Sequence, residues 1–426
     1  MKIKKIILWL LLPLLSLGLF GGLIVYKGLN NYKPKIYNYQ SYINPEFIPV
    51  IEKKYSYREY KNNSEFNVAI DNNKAIAGIS TDYMIIDLIN SKKLAKIDFK
   101  NAFGIEDPKI FYTDATIKQL DFFDKYIDGD IDGDGQNDSF WEFIIPVWLN
   151  NKVFVYNSSK INDSNIDFKN DYSHINILKQ LTENGVNGIS WTNAPIENSV
   201  IGSEINNGKF DTKIDLNNYK QRIEQFSEIV RTGTGHEMNN GKFNIFEDDS
   251  DVVLQNVIDP NSFIEASYLF NGDALDAYWS SDNFTNVEDG TIKLVKPENS
   301  PSFIDGFVIS SSISKQKQIE LLVDMNDVFF RGKFMTKLEI EEELVDGDKI
   351  DWEGIPSIYN FDYVNYTPTS KGEYEFILEN YFSDENDPEV VKSFYSLDMK
   401  QIFPISPLTK ELQSKISAEF KRKLRQ

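Results

Sequence analysis

The chain has 426 residues, no cysteine and a formal net charge of −20. Such a length exceeds one ordinary core and predicts two lobes or domains, and 41% hydrophobic with 14% aromatic residues supplies the apolar surface to build them. The acidic balance argues against nucleic acid as a partner, because phosphate binding draws on clustered Lys and Arg. Without cysteine there is no disulfide, thiol nucleophile, thiolate metal site or lipid attachment through an N-terminal cysteine.

The first five residues, "MKIKK", carry three lysines, and Ile6 to Tyr26 carries no charge. An apolar run of roughly 20 residues matches the hydrocarbon thickness of a bilayer. It is long for a signal-peptide core, and no small-x-small cleavage site follows it. Residues 1–30 are therefore read as a basic cytoplasmic start and an uncleaved single-pass transmembrane anchor, in preference to a cleaved signal peptide. The lysines hold the N-terminus inside, so the large domain is expected outside the cell at its membrane.

From Lys35 onward strand-like and helix-like segments alternate, which predicts an α/β fold. "NVAIDNNKAIAGIS" reads as a strand, a polar turn and a second strand. "TDYMIIDLINSKKLAKI" reads as a helix with Thr81 as its N-cap and Met84, Leu88 and Ile89 on its apolar face. "FWEFIIPVWLNNKVFVYN" reads as two apolar strands broken by Pro146 and Asn150. The stretch from Thr232 to Asp251, rich in Gly, Asn and Asp, reads as a loop. Near the C-terminus Leu408, Leu412, Ile416 and Phe420 recur at the spacing of one helical face.

"DGDIDGDGQND" sets Asp130, Asp132, Asp134 and Asp138 in alternation around Gly135. Alternating carboxylates with a glycine turn can wrap a hard cation, and oxygen ligands favour calcium. Position twelve of an EF-hand count falls on Trp141 rather than an acid, so a structural calcium loop stands beside a solvated acidic turn. The two histidines, His174 and His236, lie in no nucleophile or metal-binding pattern and read as incidental loop residues. Aromatics flanked by polar residues, Tyr37, Tyr39, Tyr42, Tyr83, Trp148, Phe270, Phe303 and Tyr366, could hold an amine between their faces, with Glu197 and Asp305 at its ammonium ends. Each taken alone reads as a core aromatic sooner than as a ligand contact.

The order of short segments adds a resemblance. "YNYQSYINPEFIPVIEKKY" resembles the opening strand, ligand loop and first helix of the spermidine/putrescine-binding proteins of polyamine ABC transporters, and similar segments follow in the same order: "ISTDYMIIDL", "IIPVWLNNKVFVYN", "LFNGDAL", "SFIDGFVIS" and "NYTPTS". The resemblance covers most of residues 36–426. It implies a two-lobed periplasmic-binding-protein-like fold of type II, with residues 36–153 and 305–375 in one lobe and 154–304 and 376–426 in the other. It also implies a cleft whose ligand-binding residues fall on Tyr39, Tyr42, Ser80, Asp82, Tyr83, Glu197, Phe270, Phe303, Asp305 and Tyr366. An acid of the family's first loop is replaced by Ser41, one of its second-lobe acids by Asn193 or Ala194, and its tryptophans by Tyr39, Phe270 and Phe303. The "DxDxDG" loop and "LVDGDKIDWEGIP" stand out as insertions.

The expected protein is the membrane-anchored, extracellular substrate-binding component of an ABC importer for a polyamine such as spermidine or putrescine. It works with permease subunits, and without catalysis or a required cofactor. A cell-surface glycosidase and a calcium-stabilised adhesin remain as alternatives. The glycosidase would need converging carboxylates without an aromatic clamp, and the adhesin an exposed apolar patch instead of a cleft.

Overall fold

The structure, a computed structural model, describes residues 33–426 apart from 62, 206–209, 348, 383–390, 393–394 and 396–398. The expected anchor, Ile6–Tyr26, lies outside the described residues. Among those described, no helix is long and apolar enough to cross a membrane.

Among the described residues thirteen strands follow in chain order: β1 Lys35–Tyr39, β2 Ser56–Tyr60, β3 Ala77–Thr81, β4 Ile145–Asn150, β5 Lys152–Asn157, β6 Ile189–Thr192, β7 Asn244–Glu247, β8 Ala266–Phe270, β9 Ile292–Val295, β10 Phe303–Ile309, β11 Val345–Asp346, β12 Lys349–Ile350 and β13 Thr367–Pro368. They form one sheet in the order β13-β4-β10-β3-β1-β2, a second in the order β7-β6-β8-β5-β9, and a separate β11-β12 hairpin. Parallel pairs (β2, β1 and β3; β7, β6 and β8) alternate with helices, and antiparallel β10 and β5 join them. Strands covered on both faces need apolar residues at every position, and β4 and β5 are buried throughout. Pro146 is tolerated in β4 because the register with β10 shifts there: Asp305 faces Trp148 and Gly306 faces Pro146, leaving Val147 as a bulge.

The chain changes sheet at Asn151 alone, returns over residues 296–302, and crosses again before the helix Lys410–Lys423, which packs on the helices Pro195–Ile201 and Tyr219–Thr234. Serines stitch the three crossings. Lys152 N donates to Ser300 Oγ at 3.1 Å, and Ser300 Oγ donates to Lys152 O at 2.9 Å. Ser302 N donates to Phe403 O at 3.0 Å, and Phe403 N to Ser302 Oγ at 2.8 Å.

Thr81 precedes the helix Asp82–Asn90 as its N-cap residue, and the C-terminal helix buries Leu412, Ile416 and Phe420 on one face. Three expectations are corrected. Residues 67–71, read as a strand, belong to the helix Asn63–Asp71, because Phe66, Ala69 and Ile70 are buried at helical spacing. The loop expected from Thr232 contains the end of the helix Tyr219–Thr234 and the strand β7. His174 is no loop residue: it opens the helix His174–Glu183, buried between Glu204 at 2.6 Å and the Tyr268 hydroxyl at 3.2 Å. Beside β4, Lys333 and Glu373 form a buried ion pair at 2.7 Å, and the ammonium also donates to Val147 O at 3.1 Å.

Candidate functional site

A cavity of about 1040 Å³ opens between the two sheets and draws its walls from both. Its lining holds eight acids (Glu197, Asp248, Asp249, Asp251, Asp273, Asp276, Asp282, Asp305) against two lysines, Lys61 and Lys410. Both lysines are already spoken for, Lys61 by Asp249 at 2.6 Å and Lys410 by Asp71. The cleft therefore presents a net negative field to solutes.

Asp305 sits at its centre, 4% exposed, in the middle of β10. The antiparallel register puts Thr81 directly opposite it, so both side chains share a face. Asp305 Oδ1 accepts from Thr81 Oγ1 at 2.6 Å, and Oδ2 accepts from the Tyr42 hydroxyl at 2.6 Å and Asn150 Nδ2 at 2.7 Å. With its hydrogen committed to Asp305, Thr81 accepts from the Tyr39 hydroxyl at 2.7 Å. Burial pushes the Asp305 carboxyl up to about 6, against the lowering effect of these donors. It is ionised at neutral pH.

Aromatic rings surround this carboxylate. Tyr42 lies between Tyr39, at 5.2 Å between ring centres, and Tyr366, at 5.1 Å. Phe303 meets Phe270 at 5.8 Å and Tyr83 at 6.4 Å. Two further carboxylates are held by phenols: Tyr83 donates to Glu197 Oε1 at 2.5 Å and Tyr366 to Asp273 Oδ1 at 2.8 Å. Burial raises Asp273 to about 7. Behind the wall the buried Lys152 ammonium lies 5.0 Å from the Phe270 ring centre and donates to Asn198 Oδ1 at 3.0 Å, while burial lowers it to about 8.

The cleft brings together Tyr39, Tyr42, Tyr83, Glu197, Phe270, Phe303, Asp305 and Tyr366. It does not include Ser80 or Asp82. Ser80 lies one residue from Thr81 on β3 and so points to the other face. Asp82 turns into the protein, where it accepts from Tyr83 N, Gln119 Nε2 and Ile304 N at 2.6, 2.8 and 2.8 Å. Tyr37 and Trp148 also lie outside the lining; Tyr37 packs on Phe66 and Trp148 against Phe361 and the Lys333 ammonium. Thr81, Asn150, Asp251 and Asp273 also line the cleft and were not read as ligand-binding residues from the sequence. Asp273 had a signal, since it lies within "LFNGDAL", one of the segments that carry the resemblance, and Ser41, standing where an acid was expected, donates to Asp251 across the cleft at 3.2 Å.

Gly272 explains how Tyr366 enters the cleft. A methyl group there would stand 2.6–2.8 Å from Tyr366 ring carbons. Gly272→Ala is expected to displace the ring and its bond to Asp273, weakening a solute bound in the cleft roughly tenfold or more. Titration beside a thermal melt checks this; unchanged affinity would remove Tyr366 from the site.

The acidic loop lies apart from the cleft. Asp130 Oδ1 accepts from Gly133 N at 2.6 Å and its Oδ2 from Gly135 N at 2.8 Å. Carboxylate oxygens of Asp130, Asp132 and Asp138 converge within 4.8 Å of one another, without Asp134. The Lys96 ammonium stands among them, 2.8 Å from Asp132, 2.5 Å from Asp138 and 3.3 Å from Glu142.

Fold and cleft together give a mixed α/β architecture like that of periplasmic-binding proteins. Residues 4–422 match the family described as Hypothetical lipoprotein (MG045 family), and the chain belongs to that family. Among solved structures it is similar to the spermidine/putrescine ABC transporter substrate-binding protein of Streptococcus pneumoniae, with 16% identity, TM-score 0.57, and coverage of 92% of this chain and 99% of that one. A lipoprotein of Treponema pallidum gives 11% identity, TM-score 0.56 and coverage of 92% and 98%. Thiaminase I of Bacillus thiaminolyticus gives 10%, 0.55, and coverage of 92% and 100%. The same fold thus carries binding proteins and an enzyme, and function must be argued from the site. No curated protein sequence matches the chain.

Proposed function

We propose that this protein is the extracellular solute-binding component of an ABC importer and that its solute is a polyamine or a similar organic amine. The observation that carries the reading is Asp305: a buried carboxylate, ionised at neutral pH, with no cationic partner among its hydrogen bonds and enclosed by tyrosine rings. A buried charge needs a counter-charge, and an ammonium between aromatic faces supplies it. Closure of two lobes, one around each sheet, would seal the amine in the cleft and present both lobes to permease subunits. Retention at the membrane falls to Ile6–Tyr26, because the chain has no cysteine to carry a lipid.

Calorimetric titration of the full-length protein in detergent with spermidine, spermine and putrescine, beside choline and thiamine, tests this. Micromolar or tighter binding of one polyamine is the expected result. Silence with all three overturns the amine assignment.

For the acidic loop the proposed role is structural, with the Lys96 ammonium standing where a calcium ion would compete. Lys96→Met is expected to lower the melting temperature in chelator and to recover it in millimolar calcium through linkage, whereas wild type shifts less. Identical calcium responses would show that Lys96 does not hold the ion's place.

A further inference from the structure

We infer that the cleft selects alkylammonium groups against guanidinium groups, and that Asn150 sets this selectivity by filling the second acceptor position of Asp305 Oδ2. The inference rests on the amine reading above and specifies the chemical class of the amine.

The reason is a hydrogen-bond inventory. An ionised carboxylate offers about four acceptor positions, two on each oxygen. Oδ2 of Asp305 takes the Tyr42 hydroxyl at 2.6 Å and the Asn150 amide at 2.7 Å, and Oδ1 takes the Thr81 hydroxyl at 2.6 Å. One position remains, on Oδ1. A guanidinium pairs best as a fork, with one N–H to each carboxylate oxygen, and Oδ2 has no position left for its second tine. An ammonium is a compact point donor, so the vacant position on Oδ1 suffices for it.

The donors cannot swing away singly. Asn150 Nδ2 also donates to the Tyr42 hydroxyl at 3.1 Å, so that hydroxyl has its hydrogen fixed on Asp305. Thr81 is fixed likewise by accepting from Tyr39. Glu197 and Asp273 each accept a single phenol and keep positions open on both oxygens. The discrimination therefore resides at Asp305.

The test compares 1,4-diaminobutane with 1,4-diguanidinobutane, which share a spacer and a double positive charge, by calorimetric titration of the full-length protein in detergent. The diamine is expected to bind at least tenfold tighter. Asn150→Ala opens Oδ2 and should bring the two affinities within about threefold. Thr81→Val opens Oδ1 but not Oδ2 and should leave the ratio unchanged; a ratio that collapses in it as well overturns the assignment to Oδ2, and Asn150→Ser, too short to reach Oδ2, replaces Asn150→Ala if that variant fails to fold. Equal or tighter binding of the diguanidine by wild type overturns the inference and leaves the amine reading standing. A ratio preserved in folded Asn150→Ala removes Asn150 as its cause. Failure of both compounds to bind overturns this inference, and overturns the amine reading with it when spermidine and spermine are silent too.

Discussion

Asp305→Ala is expected to weaken binding of the proposed amine by about 30-fold or more, the equivalent of ~2 kcal/mol for losing one member of a buried, hydrogen-bonded charge pair. Three donors, from Thr81, Tyr42 and Asn150, converge on this one side chain, so its removal also unmakes the hydroxyl network that orients the tyrosines. The same residue sets a pH dependence. Burial holds its carboxyl at about 6, above the usual range, so the charge that attracts an ammonium is present above that pH and lost below it. Affinity is expected to be highest near pH 8, to begin falling as Asp273, held at about 7 in the same cleft, takes up a proton, and to fall by about tenfold or more per pH unit once below 6. Titrations at pH 5, 6 and 7.5 check this; an affinity unchanged at pH 5 would show that Asp305 does not carry the ligand's counter-charge.

The largest effect on stability is expected at Lys333, far from any solute. Lys333 and Glu373 are 0% and 1% exposed, and Ser370 Oγ donates to the same Glu373 oxygen at 2.7 Å. Lys333→Met strands a carboxylate in the core and should cost about 3–5 kcal/mol. Adding Glu373→Gln removes the stranded charge and should restore much of the loss. Denaturant unfolding of the single and double variants measures both. A single variant as stable as wild type would show that the buried pair does not hold this part of the core together.

How much of this was legible in the sequence depended on how local each feature is. The helix after Thr81 and the C-terminal stripe are periodic within one segment, and periodicity reads directly. Asp305 and, in "YNYQSY", Tyr39 and Tyr42 were legible as cleft residues because they sit in short ordered motifs, whereas Tyr37 of the same stretch lies outside the lining. The error at Ser80 was one residue wide: which face of β3 meets the cleft is decided by pairing with β10, over 200 residues away. Asp82 was misread for a related reason, since its partners Gln119 and Ile304 are brought up only by the tertiary fold. Asn150 acquires its role from a residue 155 positions later, and no spacing rule records that. Residues 67–71 show a short apolar run that fits strand and helix equally until Phe66 and Ile70 find the core.

The split of the first sheet bears on how the chain folds as it is made. The second sheet is contiguous, from Lys152 to Val295, whereas the first needs β10 and β13, which follow it. During synthesis and export, β3 must wait with an unpaired edge until Ile309 has emerged, while the later-starting sheet has all its strands. A chain halted before Phe303 would thus hold every strand of the second sheet beside a sticky, half-built first one. The risk of misassembly lies in that interval.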